Sequence, residues 1–405
     1  MPITKTAREN APELKIFPDR LELLDKKLRQ FLNEGYMQCL AAKVLRRGQT
    51  IFEGTYGTSA PDEGAQSLKI DAIFPVASIT KPIIAALIMR LHQDGEIDIT
   101  HQVRAYLPEF QSFDKREPEE REPVAIWHLL THTGGLADEE FYERIVEYLK
   151  NELGIEVPEK DDDAFFGALL QAREKLGLPE ISNKEQAAHE TREYIAMRLP
   201  SIRHVREVMT YCSFGYGVLK DLLVRVCGKP IDKIAQELLF EPLGMNDSHF
   251  ILPKEKWDRV VVRGENCLGY PWQNSLECFV SESGGGGLKS TVNDMIRFCE
   301  MIRCGGELDG VRVLSPFTVQ TMGRNFNFDM SEAWNAWGLG FNYRSKKIDD
   351  LSVLRPETTL DHSGYGGSKI FIDIENGLSF AYFSAQAKGL PVDIFSNIVY
   401  SALDI

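Results

Sequence analysis

The chain has 405 residues, with 46 Lys and Arg against 60 Asp and Glu, a formal charge of −14, 43% hydrophobic and 26% charged residues. This ordinary globular composition excludes wholesale disorder or a fibrous repeat, and its acidity argues against a nucleic-acid backbone or an anionic membrane as main partner. A single core usually stops growing below this length, so two interleaved domains are expected. Met1 to Lys15 is polar and mixed in charge, without the apolar stretch of a secretory leader. The longest apolar run, Pro82 to Met89, is too short to cross a bilayer. Seven cysteines, an odd number with no CxxC pair, point to free thiols and a reducing, cytoplasmic location.

Leu21 to Phe31 spaces its apolar residues for an amphipathic surface helix. Met37 to Val44 and Gln49 to Tyr56 read as paired strands around a short turn at Arg46-Arg47-Gly48. Ala72 to Val76 leads into Ser78. Ile83 to Leu91 is apolar around nearly its whole circumference, which predicts a buried helix. Pro82 is tolerated only near a helix start, so that start should lie near Ser78.

From Asp138 to Arg198 the composition turns acidic, 16 Asp and Glu against 8 Lys and Arg. The helical spacing there reads as a solvated insertion, with a lid over a pocket as the alternative. Phe214 to Val226 predicts another buried helix. Ser281 to Gly287 reads as a flexible break before a helix over Val292 to Cys304. Phe341 to Tyr343, Lys369 to Ile374 and Leu378 to Phe383 read as strands, and Val392 to Leu403 closes the chain as a helix.

The expected architecture is α/β, an antiparallel sheet flanked by helices plus a mostly helical second domain. Residues 1–95 and 281–405 would form the α/β domain. Residues 96–280, with the acidic insertion 138–198, would form the helical one, and the cleft between them is the expected place for a site.

Two Ser-x-x-Lys sequences occur. Ser112 to Lys115 sits in a polar, Pro-bounded loop and reads as chance. Ser78-Ile79-Thr80-Lys81 opens the buried helix, where residues three apart share a face, so the Lys81 amine can reach the Ser78 hydroxyl. A neutral lysine can take the serine proton if burial and the positive helix end depress its pKa. The plain structural alternative is Ser78 as a helix cap and Lys81 as a solvated residue. Tyr211-Cys212-Ser213 lies at the start of a second apolar helix, and His362-Ser363-Gly364 precedes a strand.

The order Ser-x-x-Lys, Tyr-x-Ser, His-x-Gly resembles the serine β-lactamase and penicillin-binding-protein superfamily, and within it the class C β-lactamase, D-aminopeptidase and family VIII esterase branch. Trp127 to Leu136 looks like its "HLLTHTSGL" block and Glu241 to Ser248 like its "PLGMxDT" block. Gly285 to Asp294 and Trp337 to Gly340 match its later glycine-rich blocks. The likeness runs from about residue 20 to the C-terminus, with 138–198 lacking an evident counterpart. It implies the β-lactamase/transpeptidase-like fold, with Ser78 as the acylated nucleophile and Lys81 assisting its deprotonation. It implies Tyr211 as general base, its anion helped by Lys81 and by His362 if protonated. It maps an oxyanion hole onto the backbone N–H groups of Ser78 and Tyr365, and substrate contacts onto Ser213, His362, Ser363 and Gly364, the glycine letting substrate lie close to the strand edge.

Two departures matter. Ser213 stands where peptide-directed members usually have Asn, and a hydroxyl offers one donor rather than two. His362 replaces a lysine, weakening at neutral pH the charge that would attract a carboxylate. Both favour a carboxylic ester hydrolase or acyltransferase over a D-amino-acid amidase or peptidase or a weak β-lactamase; a non-catalytic sensor is a further alternative. A small-molecule ester or amide is the expected partner, with no cofactor, metal, nucleic acid or membrane; the sequence does not set the oligomeric state. His128 and His132 have a metal-like spacing but lack a nearby Glu and read as structural. Cys212 reads as a packed neighbour, and Trp334 and Trp337 as core or pocket wall.

Overall fold

The computed structural model describes residues 2–111, 122–158, 161–182, 184–330, 334, 336–348, 352–387 and 393–404. Ser112 to Lys115 therefore lies outside the described residues. The strands are β1 (Met37–Arg46), β2 (Gln49–Gly57), β3 (Phe74–Pro75), β4 (Lys289–Ser290), β5 (Glu307–Leu308), β6 (Val311–Arg312), β7 (Asn342–Tyr343), β8 (Leu360–Gly364), β9 (Ser368–Asp373) and β10 (Leu378–Gln386). Six of them form one antiparallel sheet in the order β2-β1-β10-β9-β8-β7, so the two ends of the chain meet at the β1–β10 pair. Arg47 and Gly48 both take positive φ, 50° and 79°, as a two-residue hairpin turn requires.

Period-two alternation decides what covers each face. Leu40, Ala42 and Val44 of β1, with Phe380 and Tyr382 of β10, join Leu21, Leu24, Leu28 and Phe31 of the helix Pro18–Asn33 and Phe395 and Val399 of the helix Asp393–Ser401 in one apolar core. The other face receives the helix Val292–Arg303. There Lys43 Nζ donates to Asn293 Oδ1 at 3.1 Å and Ser379 Oγ to the buried Glu300 carboxylate at 2.6 Å.

The described chain divides into two compact units, Met1–Ile97 with Cys227–Ile405, and Asp98–Val226. Residues 227–280, grouped by sequence with the helical part, thus belong with the sheet. Backbone bridges hold them there, His249 to Lys289, Ile73 to Val260 and Cys267 to Ala387, which helical spacing alone does not reveal. In the second unit the acidic stretch forms the helices Asp138–Leu153, Asp162–Lys175 and Lys184–Ala196. Their acidic faces are offset by a buried seam that includes Ile145, Leu149, Ala172 and Ile195. The nearly buried Arg173 stitches that seam, donating to the carbonyls of Pro179 at 2.7 Å and Ala187 at 3.2 Å. Among the described residues no helix is long and apolar enough to cross a membrane.

Candidate active site

In the first unit, β3 runs into a single 3₁₀ turn, Ala77–Ile79, followed by the helix Thr80–Gln93. Ala77 adopts φ 47°, a left-handed conformation that costs a residue with a Cβ about 1 to 2 kcal/mol. The turn is tied down on both sides. Thr80 Oγ1 donates to Ala77 O at 2.6 Å and accepts from Leu288 N at 3.0 Å, while Val76 N donates to Leu288 O at 3.0 Å. The side chains of Ser78 and Lys81 then fall on one helix face. Lys81, fully buried, donates from Nζ to Ser78 Oγ at 2.9 Å and to the Gly285 carbonyl at 2.8 Å. Ser78 itself stays partly accessible.

Gly285 belongs to the stretch expected to be a flexible break. It is instead folded into turns in which the N–H groups of Gly286 and Gly287 both donate to Ser283 O, at 3.3 and 2.7 Å.

β8 carries the His362 segment. Burial, with the positive charge of Lys81, holds the His362 imidazole down to about 3, so the ring is neutral at working pH. Its Nδ1 lies 2.9 Å from Ser363 O, and its ring stands perpendicular to that of the buried Trp337, centroids 5.8 Å apart. Burial thus works against the protonated form in which His362 would help a tyrosinate. Behind it the buried carboxylate of Asp361 accepts from Arg355 Nη1 and from Asn342 Nδ2 at 3.0 and 3.1 Å. A Cβ on Gly364 would be driven onto the Val76 carbonyl oxygen, so the chain itself requires glycine there. Tyr365, in the turn to β9, is 64% exposed, and its carbonyl accepts from Gln273 Nε2 at 2.9 Å.

In the second unit, Tyr211 is 39% exposed and lies against His132, ring centroids 4.5 Å apart. His132 Nδ1 accepts from Cys212 N at 3.1 Å. Asp138 caps the following helix, Ser213–Cys227, accepting from Ser213 N at 2.6 Å and Phe214 N at 2.9 Å. Burial and Asp138 push the Cys212 thiol well above its ordinary range, which suits a packed neighbour and not a nucleophile. His128 Nδ1 accepts from Ala125 N at 3.0 Å, and burial, with the charge of Arg206, holds this ring down to about 3. Both histidines are thus employed by backbone amides.

Residues 24–400 match the sequence model of the Beta-lactamase family. The chain belongs to the Beta-lactamase family. Esterase EstB of Burkholderia gladioli is 26% identical over 94% of this chain and 91% of its own length. Among solved structures, a penicillin-binding protein homologue from Caulobacter crescentus superposes with a TM-score of 0.70 at 19% identity, covering 96% of this chain and 99% of that one. EstCE1, described as a hydrolase with promiscuous acyltransferase activity, superposes with a TM-score of 0.68 at 17% identity, covering 96% and 99%.

This Beta-lactamase family member has the β-lactamase/transpeptidase-like fold and is a serine hydrolase. Ser78, Lys81, His362, Ser363, Gly364 and Tyr365 lie in its sheet-bearing unit, while Tyr211 and Ser213 lie in its helical one. Sequence reasoning passed over Ala77, the Gly285 carbonyl, the Asp361–Arg355 pair, and His132 and Asp138 as supports of the Tyr211 segment. Their contacts span up to 204 residues of chain, and motif spacing carries no signal for them.

Proposed function

We propose that the protein is a carboxylic ester hydrolase or acyltransferase that forms an acyl-enzyme on Ser78. The hydrogen bond from the buried Lys81 amine to the Ser78 hydroxyl, 2.9 Å long, carries this reading. It joins a partly accessible hydroxyl to a fully buried amine, the pairing that general-base activation of a serine requires. Ser78 Oγ attacks the substrate carbonyl carbon and gives up its proton to the base system, to which Tyr211 is assigned with Lys81. The oxyanion forms at the backbone N–H groups of Ser78 and Tyr365. Collapse breaks the bond to the leaving alcohol, which takes the proton away. Water, or a second alcohol or amine, then attacks the acyl carbon and frees Ser78. Ser213, His362, Ser363 and Gly364 are assigned to substrate contact.

The neutral His362 favours esters, since it offers no fixed positive charge to the carboxylate of a peptide or β-lactam. The esterase EstB and the acyl-transferring EstCE1 point the same way. The test is labelling by a fluorophosphonate followed by mass spectrometry, with a panel of p-nitrophenyl short-acyl esters, D-amino-acid amides and nitrocefin. The expected result is a label on Ser78 that Ser78→Ala abolishes, rapid turnover of the esters and poor turnover of nitrocefin. A folded protein that stays unlabelled, or that prefers nitrocefin, refutes the proposal.

A further inference from the structure

Lys289 lies in β4, where its backbone exchanges hydrogen bonds with His249, both 2.9 Å, and its side chain is wholly buried. Its Nζ donates to the carbonyls of Gly287 at 2.6 Å, Cys278 at 2.9 Å, Ser281 at 3.2 Å and Phe250. Among the described residues these carbonyls are its hydrogen-bond partners. Burying an ammonium is costly, and burial pulls this one down to about 7, with Cys278, Asp232 and Glu282 acting the other way. Four carbonyl dipoles facing the nitrogen favour the protonated form further. A methionine would fill the same space without that cost, but it could not draw carbonyls together. The three that Lys289 gathers from residues 278–287 come from both sides of Gly285, the residue whose own carbonyl accepts from Lys81 at 2.8 Å.

We propose that Lys289 is a positioning residue: it draws the 278–287 segment inward and so fixes the Gly285 carbonyl that holds the Lys81 amine against Ser78. The inference rests on the Ser78–Lys81 reading above and adds a residue that does not touch the substrate. Groups that face Lys81 in this unit include the Ser78 hydroxyl, the Gly285 carbonyl and the neutral His362 ring; the proposed mechanism assigns the Tyr211 phenol to the same base system. A carbonyl acceptor favours the ammonium over the amine. If the Gly285 carbonyl drifts away, Lys81 is aimed less well and loses its proton at lower pH.

The test is Lys289→Met, assayed with p-nitrophenyl butyrate across pH 5 to 9. The expected result is a kcat lowered by about ten- to a hundredfold, the scale set by misplacement of a reacting group of the order of 1 Å. KM should stay within about twofold, since the contacts assigned to substrate are untouched. The acid limb of kcat/KM should move to lower pH. An unchanged kcat, or a loss with no movement of the acid limb, overturns the inference, the second because a purely structural role would produce it. Should the variant fail to fold, hydrogen exchange of the wild-type protein decides. Protection of the Gly286 and Gly287 amides comparable to β9 supports the clamp, and exchange at open-loop rates overturns it. A wild-type enzyme unlabelled at Ser78 brings down the proposed function and this inference together. Normal wild-type labelling with unaltered Lys289→Met kinetics brings down this inference alone.

Discussion

Asp361 and Arg355 form an ion pair whose side chains are 2% and 0% exposed, one residue before His362. Arg355→Met keeps much of the aliphatic bulk but leaves the carboxylate with the Asn342 amide and the charge of Lys347 in place of its direct ion pair. Breaking a buried pair in this way typically costs about 3 to 5 kcal/mol. The carboxyl has an escape, because it can bind a proton at a cost set by the distance of the solution pH from its ordinary ionisation. At pH 7 that distance is roughly 3 units, and at about 1.4 kcal/mol per unit the charge-related penalty has a ceiling near 4 kcal/mol. At pH 5 the same ceiling falls to about 1.5 kcal/mol. The sign follows from linkage: in the variant the folded carboxyl holds its proton above the unfolded value, so the deficit grows as pH rises. Urea denaturation of the wild type, Arg355→Met, Asp361→Asn and the double variant at pH 5 and pH 7 checks this. Arg355→Met should lose about 3 to 4 kcal/mol at pH 7 and clearly less at pH 5, and the double variant should recover part of the loss at pH 7. An equal deficit at both pH values refutes the reasoning, because lost packing does not titrate.

Gly364→Ala sets two backbone-fixed atoms against each other, so no rotamer change relieves the overlap with the Val76 carbonyl. The Ala77–Ile79 turn and β8 must separate by about 1 Å, which should cost about 1 to 3 kcal/mol and lower kcat by about a hundredfold. A thermal melt with ester kinetics reads both, and a kcat within twofold of wild type would show that the turn is not held by this contact. His128 and His362, both held down to about 3, make a different test. The unfolded chain binds their protons more tightly, so stability rises with pH between about 3 and 6.5, by up to about 1.4 kcal/mol per pH unit for each ring. His128→Asn keeps an acceptor for Ala125 N and should flatten urea midpoints between pH 4.5 and 6.5; parallel loss in both proteins would remove His128 as a cause.

The elements that carry the proposed Ser78–Lys81 pair are those that local sequence determines. Ser78 and Lys81 sit three residues apart on a helix whose apolar circumference forces it inward, and the geometry of a helical turn does the rest. The β1–β2 hairpin is equally local, since alternation and the Arg47-Gly48 turn specify it within twenty residues. The superfamily order of Ser-x-x-Lys, Tyr-x-Ser and His-x-Gly was also legible, because those residue types are demanded by chemistry. The tertiary structure alone decided the environments. His362 is neutral chiefly because remote segments bury it, and Gly364 is fixed by the carbonyl of Val76 on a different element. Lys289, at an inconspicuous position after a glycine run, becomes the hub of four carbonyls. Spacing along a chain fixes which side chains share a face; desolvation and hydrogen-bond partners come from residues far away in sequence, and only folding brings those together.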